Sequence, residues 1–191
     1  MDAQELYLRF QHRLTASGGE CWLVEDLAAA ANTIASHSAL TGRTLVVPPG
    51  FADCALWGAL LPLLAAKEIQ ISEAETPAGI ADAPAGLSAA ELAVAETGSV
   101  LVADNVLAAR AVSMLTLTHF VLVRVEDLVP GLDQVGERLY QLTRPGPTQR
   151  HHMTLISGPS RTADIERTLT IGVQGPKALC VLLVAHQEVQ P

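Results

Sequence analysis

Leu6, Phe10 and Leu14 recur at every fourth residue, a spacing that predicts an amphipathic first helix ended by Ser17-Gly18-Gly19. The apolar run Cys21-Trp22-Leu23-Val24 follows as a short strand. Asp26 is placed to cap an alanine-rich helix reaching about Ser38. Thr44-Leu45-Val46-Val47 is a strand rich in β-branched residues, cut off by Pro48-Pro49-Gly50. Residues 53–66 suit a helix that Pro62 kinks or divides, and residues 68–72 alternate as a strand. Residues 73–86 combine alanine, proline, glycine and acids without periodicity, which predicts a surface loop. Leu87-Ser88 opens the next element, and Ala89-Ala90-Glu91 reads as a short turn.

Residues 92–95 and 100–103 flank Glu96-Thr97-Gly98-Ser99 in a hairpin pattern, and residues 106–114 are helical. Residues 119–125 give the strongest strand signal of the chain. Leu128, Leu132, Val135, Leu139 and Leu142 share one helix face, with Glu137, Arg138 and Gln141 outward. Arg144-Pro145-Gly146-Pro147 is a loop. A strand over residues 153–156, a helix over 161–169, a Gly-rich turn and a buried strand over 178–185 complete the pattern. Short apolar strands alternating with helices predict an α/β fold with a mainly parallel sheet covered by helices. The hairpin breaks strict alternation, so a sheet parallel throughout is not expected. An N-terminal helical segment, residues 1–40, is expected to pack on an α/β domain of residues 41–191.

Composition narrows the function classes. A chain of 191 residues, 49% hydrophobic but only 4% aromatic, builds its core from Leu, Val, Ala and Ile without disulfides or metal. With 12 basic against 20 acidic residues the formal net charge is −8, which argues against a phosphate-backbone footprint and hence against nucleic acid. Cys21, Cys54 and Cys180 stand apart with no C-x-x-C spacing, so neither an iron–sulfur cluster nor a zinc site is predicted. The polar opening Met1-Asp2-Ala3-Gln4-Glu5 is unlike a secretory signal, and no apolar run is long enough to span a bilayer. A cytoplasmic protein is expected.

Two motifs carry the candidate chemistry. One is Ser157-Gly158-Pro159-Ser160-Arg161-Thr162-Ala163-Asp164-Ile165-Glu166, followed by Gly172-Val173-Gln174-Gly175-Pro176 and a terminal apolar strand. It reads as strand, tight turn and helix N-terminus, where unpaired backbone N–H groups favour an anion. The other is Ala95-Glu96-Thr97-Gly98-Ser99, upstream and also followed by an apolar strand. Together, over about residues 40–185, they resemble the signature of the LUD family of lactate-utilisation proteins, in its single-domain form without iron–sulfur motifs.

That resemblance implies the fold shared by glucosamine-6-phosphate deaminase, ribose-5-phosphate isomerase and CoA transferases. It also implies a component of bacterial L-lactate oxidation to pyruvate, working with iron–sulfur partner subunits and binding a small organic acid or organising the complex. No cofactor is assigned to the chain itself. Gln174 stands where many members have His, and its amide cannot shuttle protons near pH 7 as an imidazole could.

Arg161 is the first candidate ligand residue, since a guanidinium takes a carboxylate or phosphate in bidentate fashion. Ser160 and Thr162 add hydroxyls, and Gln174 adds a donor and an acceptor from the second loop. Asp164 complicates the anion reading, because in a first helical turn it already complements the dipole. The alternative is plain capping by Thr162, with Arg161 paired to Asp164. Glu96, by analogy with CoA transferases, is a candidate nucleophile, or a general base if burial raises its pKa. Its alternative is a charge satisfied by turn N–H groups or by Arg110. A CoA-transferase-like or ligase-like enzyme and a non-catalytic partner protein therefore both stay open beside the lactate reading. His151-His152 point to opposite faces of a strand entrance and make no metal pair.

Overall fold

The computed structural model describes residues 2–163 and 169–185. Its helices are α1 (Ala3–Ala16), α2 (Leu27–Ser36), α3 (Leu60–Ala65), α4 (Pro77–Ile80), α5 (Leu107–Leu115) and α6 (Asp133–Thr143). The first six strands are β1 (Glu20–Val24), β2 (Thr44–Val47), β3 (Gln70–Glu73), β4 (Ala85–Ala89), β5 (Leu92–Val94) and β6 (Ser99–Ala103). The remainder are β7 (Thr118–Arg124), β8 (Leu128–Val129), β9 (Met153–Ile156), β10 (Arg161–Ala163), β11 (Leu169–Ile171) and β12 (Ala178–Val184).

A six-stranded sheet of order β1-β12-β7-β4-β2-β3 forms the centre, and each of its ladders is parallel. The hairpin β5–β6 does not interrupt it. It joins β8 and β9 in a separate four-stranded sheet, order β8-β5-β6-β9. A parallel sheet must be covered on both faces. One face packs Phe120, Leu122 and Leu182 against Ala30, Ile34, Leu60 and Leu64 of α2 and α3. The other packs Val121, Val123 and Val181 against Phe10 and Leu14 of α1 and against the second sheet. Helix α5 covers the same face beside β2, and α6 lies on the far side of the second sheet. Residues 1–40 thus supply an edge strand and a helix to each face. No helix among the described residues is long and apolar enough to cross a membrane.

Four segments differ from the sequence reading. Only residues 60–65 of the expected 53–66 helix form α3, with Pro62 as its third residue, where an N–H has no intrahelical partner. Residues 73–86 are more than a loop: Thr76 caps α4 through Gly79 N–H, and Ala85-Gly86 start the central strand β4. Gly86 fits there because a Cβ would stand 2.8 Å from Val112 Cγ1. Leu128 pairs with Ala93 in a strand, and α6 starts only beyond Pro130-Gly131. The helix expected over 161–169 is replaced by a hairpin, Arg161 facing Ile171 and Thr162 facing Thr170. The β-branched side chains of Thr162, Thr170 and Ile171 favour that extended form.

Glycine turns lock α1 to the second sheet. Gly98 has φ +67°, and a Cβ would stand 2.7 Å from the Arg13 carbonyl carbon and 2.8 Å from Leu14 Cα. Gly136, exposed in α6, has nothing within 4 Å of that position. Gly98→Ala is therefore expected to lower unfolding stability by about 3 kcal/mol, from left-handed strain plus overpacking. Gly136→Ala should raise it by about 0.5–1 kcal/mol. Urea unfolding of both variants checks the pair.

Candidate functional site

The two sequence motifs meet at the amino edge of the central sheet. Ser99 Oγ hydrogen-bonds Ser157 Oγ and donates to Thr97 Oγ1, joining the Glu96 turn to the Ser157 turn. A Cβ on Gly158 would stand 2.6 Å from the Ser17 carbonyl oxygen, so this turn seats on the end of α1. Ser160 ties down the second Gly-rich loop, donating to Pro176 O at 2.9 Å and accepting from Gly172 N–H at 2.9 Å. Lys177 N–H then reaches Leu117 O at 2.7 Å, just before β7. Leu117 and Lys177 lead directly into β7 and β12, neighbours in the central sheet.

Of the residues singled out from sequence, Ser160 and Thr162 are half-buried there, while Arg161 and Gln174 are exposed. Asp164 lies outside the described residues. Because Arg161 begins a strand, no helix N-terminus presents its N–H groups at this turn. Glu96 is exposed, and its carboxylate accepts from Leu132 N–H at 3.1 Å. That places a negative charge at the start of α6, whose own first residues offer no side-chain cap. Close approach accounts for Gly98 and Gly158, and hydroxyl bonding across the joint for Ser99 and Ser157.

The opposite, carboxyl edge holds a cleft of about 320 Å³. It lies outside β2 and β4, where the chain leaves β2 toward β3 on one side and leaves β4 toward β7 on the other. Open α/β sheets bind ligands at such a switch point. The β2–β4 ladder is registered only at Val46↔Gly86, against five paired positions between β4 and β7, so the two strands are free to part there. Phe51, Leu56 and Trp57 give the cleft an apolar wall, and Ser88, Glu91, Asp104 and Arg150 its polar groups.

The backbone around Arg150 is held by its neighbours. Asn105 grips both flanks, accepting from His151 N–H and donating to Gln149 O, each at 2.7 Å. The Arg150 N–H itself donates to Leu142 O at 2.7 Å. Its guanidinium makes no ion pair among the described residues, and Nε is shut from solvent without a partner. The nearby carboxylates are already engaged: Glu91 pairs with Arg138, and Asp104 accepts from Val106 N–H at 2.9 Å. That leaves Arg150 as the cleft's uncommitted cation.

Ser88 lines the same cleft and hydrogen-bonds His119 Nε2 at 2.7 Å. The two lie on neighbouring strands, 31 residues apart in sequence. His119 is fully buried, and burial pushes its pKa from 6.5 down to about 3. Nδ1 has no partner. Neither residue carried a signal in the sequence, where His119 read only as the start of a strand.

Glu20, His37 and Cys180 form another cluster, with donor atoms within 4.8 Å of one another. Ala39 N–H donates to His37 Nδ1 at 3.1 Å, so the single proton of the neutral ring sits on Nε2, the atom facing Glu20 and Cys180. An ion on Nε2 would require the ring to lose both protons. This is a hydrogen-bonding cluster, and burial raises the Cys180 thiol to about 12.

The fold is an open α/β-sheet domain with a cleft at its carboxyl edge. The chain belongs to the LUD domain family, which it matches over residues 7–184. Lactate utilization protein C of Bacillus velezensis is 34% identical over 99 residues, covering 52% of this chain and 41% of that protein. The protein of the same name from Bacillus subtilis is 33% identical over 102 residues, covering 53% and 42%. The matched stretch thus spans less than half the length of either relative. A crystal structure of a DUF162 family protein from Deinococcus radiodurans has the same fold, with a TM-score of 0.69 at 22% identity over 97% of this chain and 99% of that one.

The depressed His119 pKa has a consequence for stability. Below about pH 6.5 the unfolded chain takes up a proton that the folded state refuses, so stability falls as pH drops from there toward about 3. The limiting slope is about 1.4 kcal/mol per pH unit. His119→Gln keeps a donor at the Nε2 position and removes the titration. Urea midpoints measured between about pH 6 and pH 4 should fall less steeply for His119→Gln than for the parent.

Proposed function

We propose that this chain is a component of lactate utilisation, and that it binds a small organic acid in the carboxyl-edge cleft. The observation that carries the reading is Arg150, a guanidinium without an ion pair among the described residues, on a backbone that Asn105 holds at both flanking residues, in a cleft at the sheet's switch point. A carboxylate is the partner that matches a guanidinium in geometry and charge. The relatives named lactate utilization protein C support lactate or pyruvate as that acid. Oxidation of L-lactate to pyruvate releases two electrons and two protons. With its cysteines isolated in sequence, this chain lacks cluster ligands, so the two electrons would travel through iron–sulfur partner subunits and the protons to solvent, in the cytoplasm.

A second reading anchors the acid at the amino edge through Ser160, Arg161, Thr162 and Gln174. It is favoured by the backbone bonds that hold the Ser160 turn against the Gly172–Pro176 loop. Calorimetric titration of L-lactate and pyruvate into the parent, Arg150→Ala and Arg161→Ala separates the two. Loss of a charge-assisted bond should weaken binding about ten- to a hundredfold in Arg150→Ala and leave Arg161→Ala unchanged. The reverse pattern would move the site to the amino edge. If neither acid binds the parent, the organic-acid reading fails. A hydroxylamine-sensitive acyl adduct on Glu96 would instead identify a CoA-transferase-like enzyme.

A further inference from the structure

Among the described residues, the buried polar side chains are Ser88, Ser99, Thr116, Thr118 and His119. Ser99 is engaged with Thr97 and Ser157, and Thr116 with the Val112 carbonyl at 2.8 Å. Ser88 and His119 have only each other. His119 shares its face of β7 with Val121 and Val123, where an apolar side chain would pack without leaving a polar atom unpaired. A buried imidazole with an orphaned nitrogen is costly unless its other nitrogen is put to use.

Two arrangements of the pair are available. With the ring proton on Nδ1, Ser88 donates to Nε2, its hydrogen is turned away from the cleft, and a buried N–H has no acceptor. With the proton on Nε2, the ring donates to Ser88 Oγ, Nδ1 keeps a bare lone pair, and the Ser88 hydrogen is free to turn into the cleft. An orphaned N–H is the rarer defect in folded proteins, so the second arrangement is preferred.

We infer that His119 holds Ser88 as a neutral hydrogen-bond donor to the cleft, selecting acids that carry an oxygen at C2, the 2-oxo and 2-hydroxy acids, over those that do not. This inference rests on the reading of the cleft as an organic-acid site anchored by Arg150. The carboxylate is the shared handle of every such acid and cannot discriminate among them. The oxygen one carbon away can, and Ser88 is the polar group of the cleft that is neither charged nor committed to a helix end or an ion pair. His119 is a positioning residue, acting through Ser88.

The test compares pyruvate with propionate, its analogue lacking the C2 oxygen, by calorimetric titration. The parent should prefer pyruvate by about tenfold, the scale of one neutral hydrogen bond. Ser88→Ala should bind both acids alike, while Arg150→Ala should weaken both equally. His119→Gln, which keeps a donor where Nε2 stands, should retain the preference, and His119→Phe should lose it. Circular dichroism and urea unfolding confirm that each variant folds. Long-range proton–nitrogen NMR of the ligand-free parent reads the His119 tautomer directly, and the protonated nitrogen should be Nε2. A preference that survives in Ser88→Ala, or a ring protonated on Nδ1, overturns the inference while leaving the Arg150 site standing. Failure of both acids to bind the parent overturns both.

Discussion

The last strand of the described chain has to enter the middle of the sheet. β12 pairs with β7 over seven positions on one side and with β1 over five on the other, and Cys180, Val181 and Leu182 at its centre are wholly buried. A parallel strand buried on both faces has no hydrogen-bonding alternative in water, so both of its neighbours and both covering layers must be in place around it. The layers follow: α2 and α3 on one face, α1, α5 and the second sheet on the other. The turn that delivers β12 to its slot is Gly172–Lys177, held by Ser160 and by the Leu117 carbonyl. The signature motifs sit where this insertion is guided, at the amino edge.

That placement divides the molecule's two edges by role. At the amino edge, Gly98 and Gly158 allow turns to press against the end of α1, and serine hydroxyls bond one another across the joint. At the carboxyl edge, β2 and β4 part above a single registered pair, and the groups gathered there are less committed among the described residues: an Arg without an ion pair and a Ser whose one partner is a buried His. Closure and glycine characterise the first edge, an opening and unsatisfied polar atoms the second.

Much of the fold was legible in the sequence because local chemistry and tertiary role agree. Asp26 caps α2 as its position foretold, and Leu6, Phe10 and Leu14 lie on one face of α1, with Phe10 and Leu14 in the core. Where they disagree, the reading failed. Ala85-Gly86-Leu87-Ser88-Ala89 has little strand propensity and becomes a central strand only because both flanking strands and α5 require a slim one. Arg161-Thr162-Ala163 follows a turn that resembles a helix start, but its partner strand lies beyond it in sequence.

The candidate cleft was illegible for a related reason. Ser88 meets His119 through the register of β4 on β7, and the backbone around Arg150 is held by Asn105, 46 residues away from the His151 amide it accepts from. No spacing in the chain announces either pairing. Conversely, the motifs that do stand out, rich in Gly, Pro and Ser, owe much of that composition to close backbone approach.

On the proposed reading, the ligand binds at the carboxyl edge and the signature turns are scaffold. A pyruvate titration of the nitrogen-15-labelled protein, followed amide by amide, tests it most directly. Shifts concentrated at Gly50, Ala90, Asp104 and Arg150, with Ser160, Gly172 and Gln174 unmoved, are what the account predicts. Shifts confined to Ser160, Gly172 and Gln174 would contradict it and return the site to the amino edge.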